Sequence, residues 1–296
     1  MDFNADQLRA LSAVIDHGGF DAAAAALHLT PSAVSQRVKA LEVRAGCILV
    51  RRTRPAAATE PGAVLLRLAR QIAALESDAV ERLGLTEQGR PPSVQLVVNA
   101  DSLATWVLPA LAGLQDVSLE FMLEDQDYSA ESLRNGTAMG AVTSSPAAVQ
   151  GCSVTPLGVM RYRPVASAAF CRRWFPEGWT AQAAGLAPMI VFNRKDALQE
   201  RFLEERFGSG VMPPRHYVPA SSDFLQAVRL GFGWGMLPDL QTNPFLENGS
   251  LVLLEPGQIL DVPLFWQQWR VEIPALARVA EALARAAGRD LRQNRS

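Results

Sequence analysis

The feature that most constrains this chain is a change of hydrophobic period at TEQGRPPS, Thr86 to Ser93, a stretch rich in Gly, Pro and polar residues. Before it, apolar residues recur at helical spacing. After it, short β-type runs alternate with helical ones. One architecture does not accommodate both patterns, so the stretch reads as a linker between two. With 296 residues, 49% of them hydrophobic, each side can build its own core, and two or three folding units are expected.

On the N-terminal side, Leu8, Leu11, Val14 and Ile15 fall on one face of a helix that Gly18 and Gly19 stop. FDAAAAALH predicts a short second helix anchored by Phe20 and Leu27. Thr30 at an N-cap followed by Pro31 starts a third. In it Val34, Val38 and Leu41 are spaced i, i+4, i+7 and face the core, which leaves Ser32, Ser35, Gln36 and Lys39 on the other side. CILVRRTRPAAATEPG then reads as a short strand, a basic turn and a return strand ending at Thr59, a two-stranded wing. A long helix starts near Glu60, with Leu65, Leu68, Ile72, Leu75 and Ala79 in 3-4-3-4 spacing. That stripe fits a coiled-coil partner helix, and a helix packed on its own core remains the alternative.

The formal charge of the whole chain is −2, so contact with nucleic acid requires a local concentration of positive charge. There is one. Between Pro31 and Arg54 stand Arg37, Lys39, Arg44, Arg51, Arg52 and Arg54 against the single acid Glu42. A polar helix face is usually just solvated. Here a preceding helix and tight turn, a Thr-Pro helix start and an arginine-rich wing accompany it, and together these predict a winged helix-turn-helix whose third helix reads the major groove.

Beyond the linker, VQLVVNA, VSLEFMLED, GAVTS, MIVFN, HYVPA, WGMLP, LVLLE and VPLFWQQW predict strands interleaved with helices, closing on a helix from Ile273 to about Gly288. The pattern is α/β with mainly parallel sheets, read as two small lobes with ligand binding at strand C-terminal ends. GFGWG, Gly231 to Gly235, follows a helix and precedes a strand, the reverse of a dinucleotide fingerprint, and reads as a helix C-terminal turn.

Other function classes find little support. Cys47, Cys152 and Cys171 are distant and odd in number, which fits a reducing, cytoplasmic setting without disulfides. No apolar run approaches the roughly 20 residues of a membrane span, and MDFNADQLRA does not resemble a signal peptide. His17, His28 and His216 have no partner at metal-ligand spacing. No base accompanies a candidate nucleophile, so neither an enzyme, a metal site nor a cofactor is expected.

GGFDAAAAALHLTPSAVSQRVKALEVRAG followed by ILVRRTRPAAATEPG resembles the N-terminal domain of LysR-type transcriptional regulators. VNADSLATWVLPAL, GAVT and LFWQQW resemble the arginine- and lysine-responsive branch of that family, called ArgP or LysG. The resemblance spans nearly the whole chain. It implies a winged helix-turn-helix over residues 1–60, a dimerising linker helix over 61–90 and an effector-binding domain over 91–296. That last domain would resemble type 2 periplasmic binding proteins, with lobes of about 91–162 plus 267–296, and 163–266. The implied partners are double-stranded DNA, a basic amino acid (lysine, arginine or histidine), further copies in a homodimer or tetramer, and RNA polymerase. By position, the family's DNA contacts fall on Pro31, Ser32, Ser35, Gln36, Lys39, Arg51 and Arg54, with Thr30 and Arg52 beside them. Some members carry arginine where this chain has Gln36.

An amino acid needs donors for its carboxylate and acceptors for its ammonium groups. Asp101 and Ser102 lie at a strand-to-helix junction where both suit, and LEFMLEDQD gathers Glu120, Glu124, Asp125 and Asp127 without a basic residue. Thr143, Ser144, Ser221, Ser222 and Asp223 occupy similar junctions, and Trp106 and Phe192 are candidates for lining the pocket. Plainer roles exist for each: helix caps for Ser102, Ser221 and Ser222, core packing for the aromatics, a solvated loop for the acidic run. The expected function is a ligand-responsive, DNA-binding transcriptional regulator controlling an amino-acid exporter. The alternative is an architectural or replication-associated DNA binder without an effector.

Overall fold

The computed structural model describes residues 2–85, 91–123 and 126–293. Three helices open the chain: α1 (Ala5–Asp16), α2 (Phe20–Ala26) and α3 (Pro31–Ala45). Asn4 caps α1 by accepting from the N–H of Asp6 and Gln7, and Thr30 caps α3 by accepting from Ala33 N–H at 3.2 Å. Leu8, Leu11, Val14, Val34, Val38 and Leu41 form one buried cluster, each contributing about 1.5–3 kcal/mol of transfer free energy. Phe20 and Leu27, expected as core anchors, pack half-buried against its rim.

The wing is β1 (Val50–Arg51) against β2 (Ala57–Ala58), antiparallel with Val50 opposite Ala58. Glu42, the lone acid of the basic segment, accepts from Leu49 N–H at 2.9 Å and Val50 N–H at 3.3 Å, so its charge holds the root of the wing. From there α4 (Glu60–Arg82) runs for about 35 Å. Leu65, Leu66 and Ala69 are buried in the N-terminal core, and Leu68 and Ile72 pack on it, so the first half of the expected coiled-coil stripe serves its own domain. Leu75, Val80 and Leu83 stay exposed. Thr86 to Arg90 of the expected linker lie outside the described residues.

After Ser93 come β3 (Ser93–Val98), α5 (Ala100–Ser102), a π-helical turn (Leu103–Val107), α6 (Leu108–Leu111), β4 (Ser118–Leu123), α7 (Gln126–Asn135) and β5 (Gly140–Thr143). Then follow β6 (Cys152–Ser167), α8 (Ala168–Trp174), α9 (Ala181–Leu186), β7 (Met189–Val191), α10 (Leu198–Phe207), β8 (Arg215–Tyr217) and α11 (Ser221–Arg229). The chain closes with β9 (Gly235–Pro238), α12 (Asp239–Glu247), β10 (Leu251–Leu253), β11 (Leu260–Trp269) and α13 (Pro274–Asp290).

The expectation of mainly parallel sheets is corrected. β3 pairs in parallel with β4 and β5, and β7 with β8. The main sheet, ordered β10-β6-β11-β5-β3-β4 with β9 also on β6, is antiparallel wherever β6 or β11 takes part. These two long strands run through both lobes. The early part of β6 lies against β11 and the first lobe, and its later part pairs with β9 and β10 of the second. Pro156, Gly158 and Pro164 interrupt the alternation in β6, which hides the strand from sequence reading. A register shift between Leu264 and Phe265 accommodates that region. GFGWG is a helix end as expected: Gly231 has φ +80°, and Phe232 N–H donates to Ala227 C=O at 3.1 Å.

Candidate functional site

The α3 face opposite Val34, Val38 and Leu41 is open. Pro31, Ser32, Gln36 and Lys39 are exposed and Ser35 is half-buried. Thr30 is committed locally: its Oγ1 takes the capping bond and lies 3.0 Å from Ser32 Oγ. Arg37 turns toward α1, with its Nη2 3.6 Å from Asp6 Oδ2, and so belongs to the scaffold. On the wing Arg51, Arg52 and Arg54 are all exposed. Arg51 Nη2 donates to Ala58 C=O at 3.1 Å across the two strands, and the Arg52 guanidinium sits 4.7 Å from the Phe20 ring centroid. Both arginines are therefore oriented by contacts within the chain, with donors left over. A helix with amide, hydroxyl and ammonium groups beside a cationic ribbon matches base reading flanked by phosphate contacts.

The second constellation lies where the two lobes meet. Val98 pairs with both Leu123 and Val142, so the C-terminal ends of β4, β3 and β5 lie side by side, and Asn99 to Ser102 and Thr143 to Ser144 share that edge. From the second lobe, Ser221 Oγ donates to Asp101 Oδ1 at 2.6 Å. Tyr162, on the crossing strand β6, donates to Asp101 Oδ2 at 2.8 Å, and Gln241 Nε2 donates to Ser221 Oγ at 2.8 Å. Asp101 has no cationic partner among the described residues. Burial is the main cause that lifts its carboxyl above the usual carboxylate range; the two hydroxyl bonds oppose this and the charge of Asp196 adds to it. Burial, followed by the charge of Asp101, pushes the Tyr162 phenol well above its ordinary value, so it stays a neutral donor.

The other expected residues divide. Ser102 is fully buried and caps nothing: Asn99 Oδ1 accepts from Ser102 N–H at 2.8 Å, while Ser102 Oγ has no partner among the described residues. Ser144 Oγ is likewise buried and unpartnered. Ser221 is no cap either, since no side chain caps α11. Thr143 keeps a local role, its Oγ1 accepting from Ser145 N–H at 3.2 Å. Ser222 and Asp223 are exposed on the first turn of α11, outside the Asp101 hydrogen-bond group. Trp106 is core. Phe192 packs on the second lobe's cluster, with its N–H donating to Asp196 Oδ2 at 3.0 Å. Glu120 is exposed in the middle of β4. Glu124, Asp125 and the side chain of Asp127 lie outside what is described.

Sequence reasoning missed Tyr162, Gln241 and Asp196. Tyr162 belongs to the unrecognised β6 and Gln241 to the unrecognised α12. No local motif marks either, because their meeting with Asp101 is a product of the crossing strands.

Known proteins match both parts of the chain. The family model described as bacterial regulatory helix-turn-helix protein, lysR family, matches residues 5–63, and that of the LysR substrate binding domain matches residues 87–288. The lysine export transcriptional regulatory protein LysG of Corynebacterium efficiens is 42% identical over 296 residues, covering 98% of this chain and 99% of its own. The crystal structure of ArgP from Mycobacterium tuberculosis matches with a TM-score of 0.90 at 46% identity, covering 98% of each chain. Full-length LysG from Corynebacterium glutamicum with bound effector Arg matches with a TM-score of 0.82 at 37% identity, covering 98% of this chain and 99% of that one.

Proposed function

The chain belongs to the lysR family of bacterial regulatory helix-turn-helix proteins, and from that premise we propose that it is a cytoplasmic transcriptional regulator, without enzymatic activity, whose C-terminal lobes sense lysine, arginine or a related basic amino acid. The observation that carries the reading is Asp101, a carboxylate at the lobe junction without a cationic partner among the described residues, next to the buried, unpartnered hydroxyl of Ser102. A buried acceptor of this kind invites a cation, and a buried hydroxyl without an acceptor invites a carboxylate. One α-amino acid with a basic side chain supplies both. The relative with bound arginine is matched over nearly its whole length, which supports the same ligand class here.

On this reading residues 1–60 read DNA, with Ser32, Ser35, Gln36 and Lys39 toward bases and phosphates and Arg51, Arg52 and Arg54 toward the backbone. Residues 61–90 pair two copies through the exposed end of α4, and pairs of pairs give the tetramer. Lobes of about 91–162 plus 267–296, and 163–266, close on the ligand. Closure favours one arrangement of the reading heads, and so changes how the promoter is presented to RNA polymerase, only to the extent that the ligand binds the two arrangements with different affinity. The name of the Corynebacterium efficiens relative supports an amino-acid exporter gene as target. The architectural alternative is not favoured, because it gives the Asp101 group no task.

Operator binding and thermal stability measured across a panel of amino acids test this. Lysine or arginine, with histidine as the weaker candidate, is expected to change the footprint and raise the melting temperature, with neutral amino acids inert. An unchanged footprint and melting curve with all three basic amino acids removes the sensor reading.

A further inference from the structure

Two arginines on α4 bind the DNA-reading domain to the ligand-binding domain. Arg67 Nη1 donates to Gln150 C=O at 2.5 Å and its Nη2 to Gly151 C=O at 2.7 Å. One turn on, Arg70 Nη1 donates to Asn135 C=O at 3.2 Å and Thr137 Oγ1 at 3.0 Å, while its Nη2 pairs with Asp16 Oδ1 at the end of α1. Arg70 therefore ties the reading domain, the linker helix and the first lobe together. The socket is shaped for this. Gly136, φ +81°, and Gly151, φ +74°, adopt backbone that side chains disfavour, and a Cβ at either would come within 2.9 Å of Arg67.

The joint is polar, and this bears on its use. Apart from the buried Cys152 thiol, 3.7 Å from Arg67 Nη2 and only a weak acceptor, the groups of the clasp are guanidinium, carbonyl, hydroxyl and carboxylate groups that water can satisfy when the joint opens, so breaking it costs little in unpaired polar groups. Further along α4, Ala74 packs on the rim of the C-terminal core, while Ser77 and Asp78 face Pro92, Ser93, Met139, Ile273 and Ala275 across a crevice of about 30 Å³. Domain contacts of this small, polar kind permit relative motion.

The clasp also shares a loop with the cleft. Ser144, whose buried hydroxyl is unpartnered among the described residues, begins the segment that ends at Gln150 and Gly151. That segment is tied together and to the end of β11: Gln267, itself buried on β11, accepts from Val149 N–H at 3.1 Å and donates to Ser145 C=O at 3.2 Å and Ala147 C=O at 2.9 Å, and Arg270 N–H donates to Gly151 C=O at 3.2 Å, so a shift of the segment is shared with that strand end.

We propose that Arg67 and Arg70 are positioning residues forming a breakable clasp, through which the 144–151 loop passes the state of the cleft to the DNA-reading domain. The ligand-dependent half of this inference rests on the sensor reading above; the clasp itself does not. With the loop displaced at its Ser144 end, the carbonyls of Gln150 and Gly151 shift against Arg67, the joint loosens, and the two reading heads of a dimer change their separation.

The test uses the full-length protein and Arg67→Gln, which touches neither DNA-contacting groups nor the Asp101 site. Gly151→Ala, which keeps the arginine but crowds its fork, is the second variant, and Arg67→Lys tests rescue. Arginine affinity by calorimetry is expected to stay within about twofold of the parent. The arginine-induced change in operator affinity, typically on the order of 5–150-fold for such couplings, is expected to collapse toward unity. Small-angle scattering without ligand is expected to show a longer particle for Arg67→Gln and Gly151→Ala, with Arg67→Lys in between. Unchanged coupling together with unchanged scattering overturns the clasp. If the parent protein binds no basic amino acid, the sensor reading alone fails, and the ligand-free scattering and footprint of the variants still decide the clasp: both unchanged overturns it, and either one altered supports it.

Discussion

At the scale of single residues, one helix divides its side chains between two tasks. Val34, Val38 and Leu41 are fully buried and fix α3 in place, and their burial sets the direction in which Gln36 and Lys39 project. On the proposed reading Gln36, as a bidentate amide, discriminates a base, whereas Arg51, which donates to Ala58 C=O on the wing, supplies charge to the DNA backbone. Gln36→Ala is expected to lower discrimination between operator and random DNA by about 1–3 kcal/mol, while Arg51→Ala weakens both and flattens the salt dependence. Titrations of each variant on both DNAs at several salt concentrations check this. Equal losses on the two DNAs for Gln36→Ala take it out of base reading. The open face carrying Gln36 and Lys39 was legible in the sequence because a helical period and an N-cap are local properties. The commitment of Arg37 to Asp6 was not, since it depends on how α1 crosses α3.

At the scale of elements, α4 shows how far periodicity carries. Its 3-4-3-4 stripe is real, but Leu65 is buried in its own domain, and the residues exposed beyond it are Leu75, Val80 and Leu83. A single helix leaving this row to water is unfavourable by roughly 25 cal/mol for each Å² of apolar surface, which a second copy would remove. The double variant Leu75→Glu, Leu83→Glu is expected to shift the sedimentation mass from dimer toward monomer with little change in the stability of the chain's own cores. Retention of the parent's mass would place the dimer contact elsewhere. Of the elements missed altogether, β6 and α12 share a cause. Pro156 and Pro164 in the one and Pro244 in the other break the local pattern, and neighbouring elements supply the stabilisation that local propensity lacks.

At the scale of the whole molecule, the lobes are joined by long strands, and the Asp101 carboxylate lies where they meet. Asp101 of the first lobe receives hydrogen bonds from Ser221 of the second and from Tyr162 on the crossing strand. Its carboxyl is raised above the ordinary range, chiefly by burial, so the folded chain without ligand keeps this proton to a higher pH than the unfolded chain does. The corresponding contribution to stability is present at low pH and is lost as pH rises through the folded value. A cationic ligand pairs with the ionised form, so affinity for arginine is expected to rise over that same window and to level off above it, with a proton released on binding in the acid limb. Calorimetry in buffers of differing ionisation enthalpy measures that release. Asp101→Asn is expected to abolish the pH dependence and to cost on the order of 1.5–3 kcal/mol of binding. A pH-independent affinity in the parent would assign the ligand's cation to another group. The sequence by itself determined the reading helix, the basic wing, the linker helix and the two-lobed α/β plan, because each follows from period, caps and charge within a short window. Only the tertiary structure decided that the main sheet is largely antiparallel and that Tyr162, Ser221 and Gln241 gather around Asp101. It alone also brought Arg67 and Arg70 to their carbonyls, because these contacts, apart from that of Gln241 with Ser221, join residues more than sixty positions apart and no local pattern encodes which distant partner arrives.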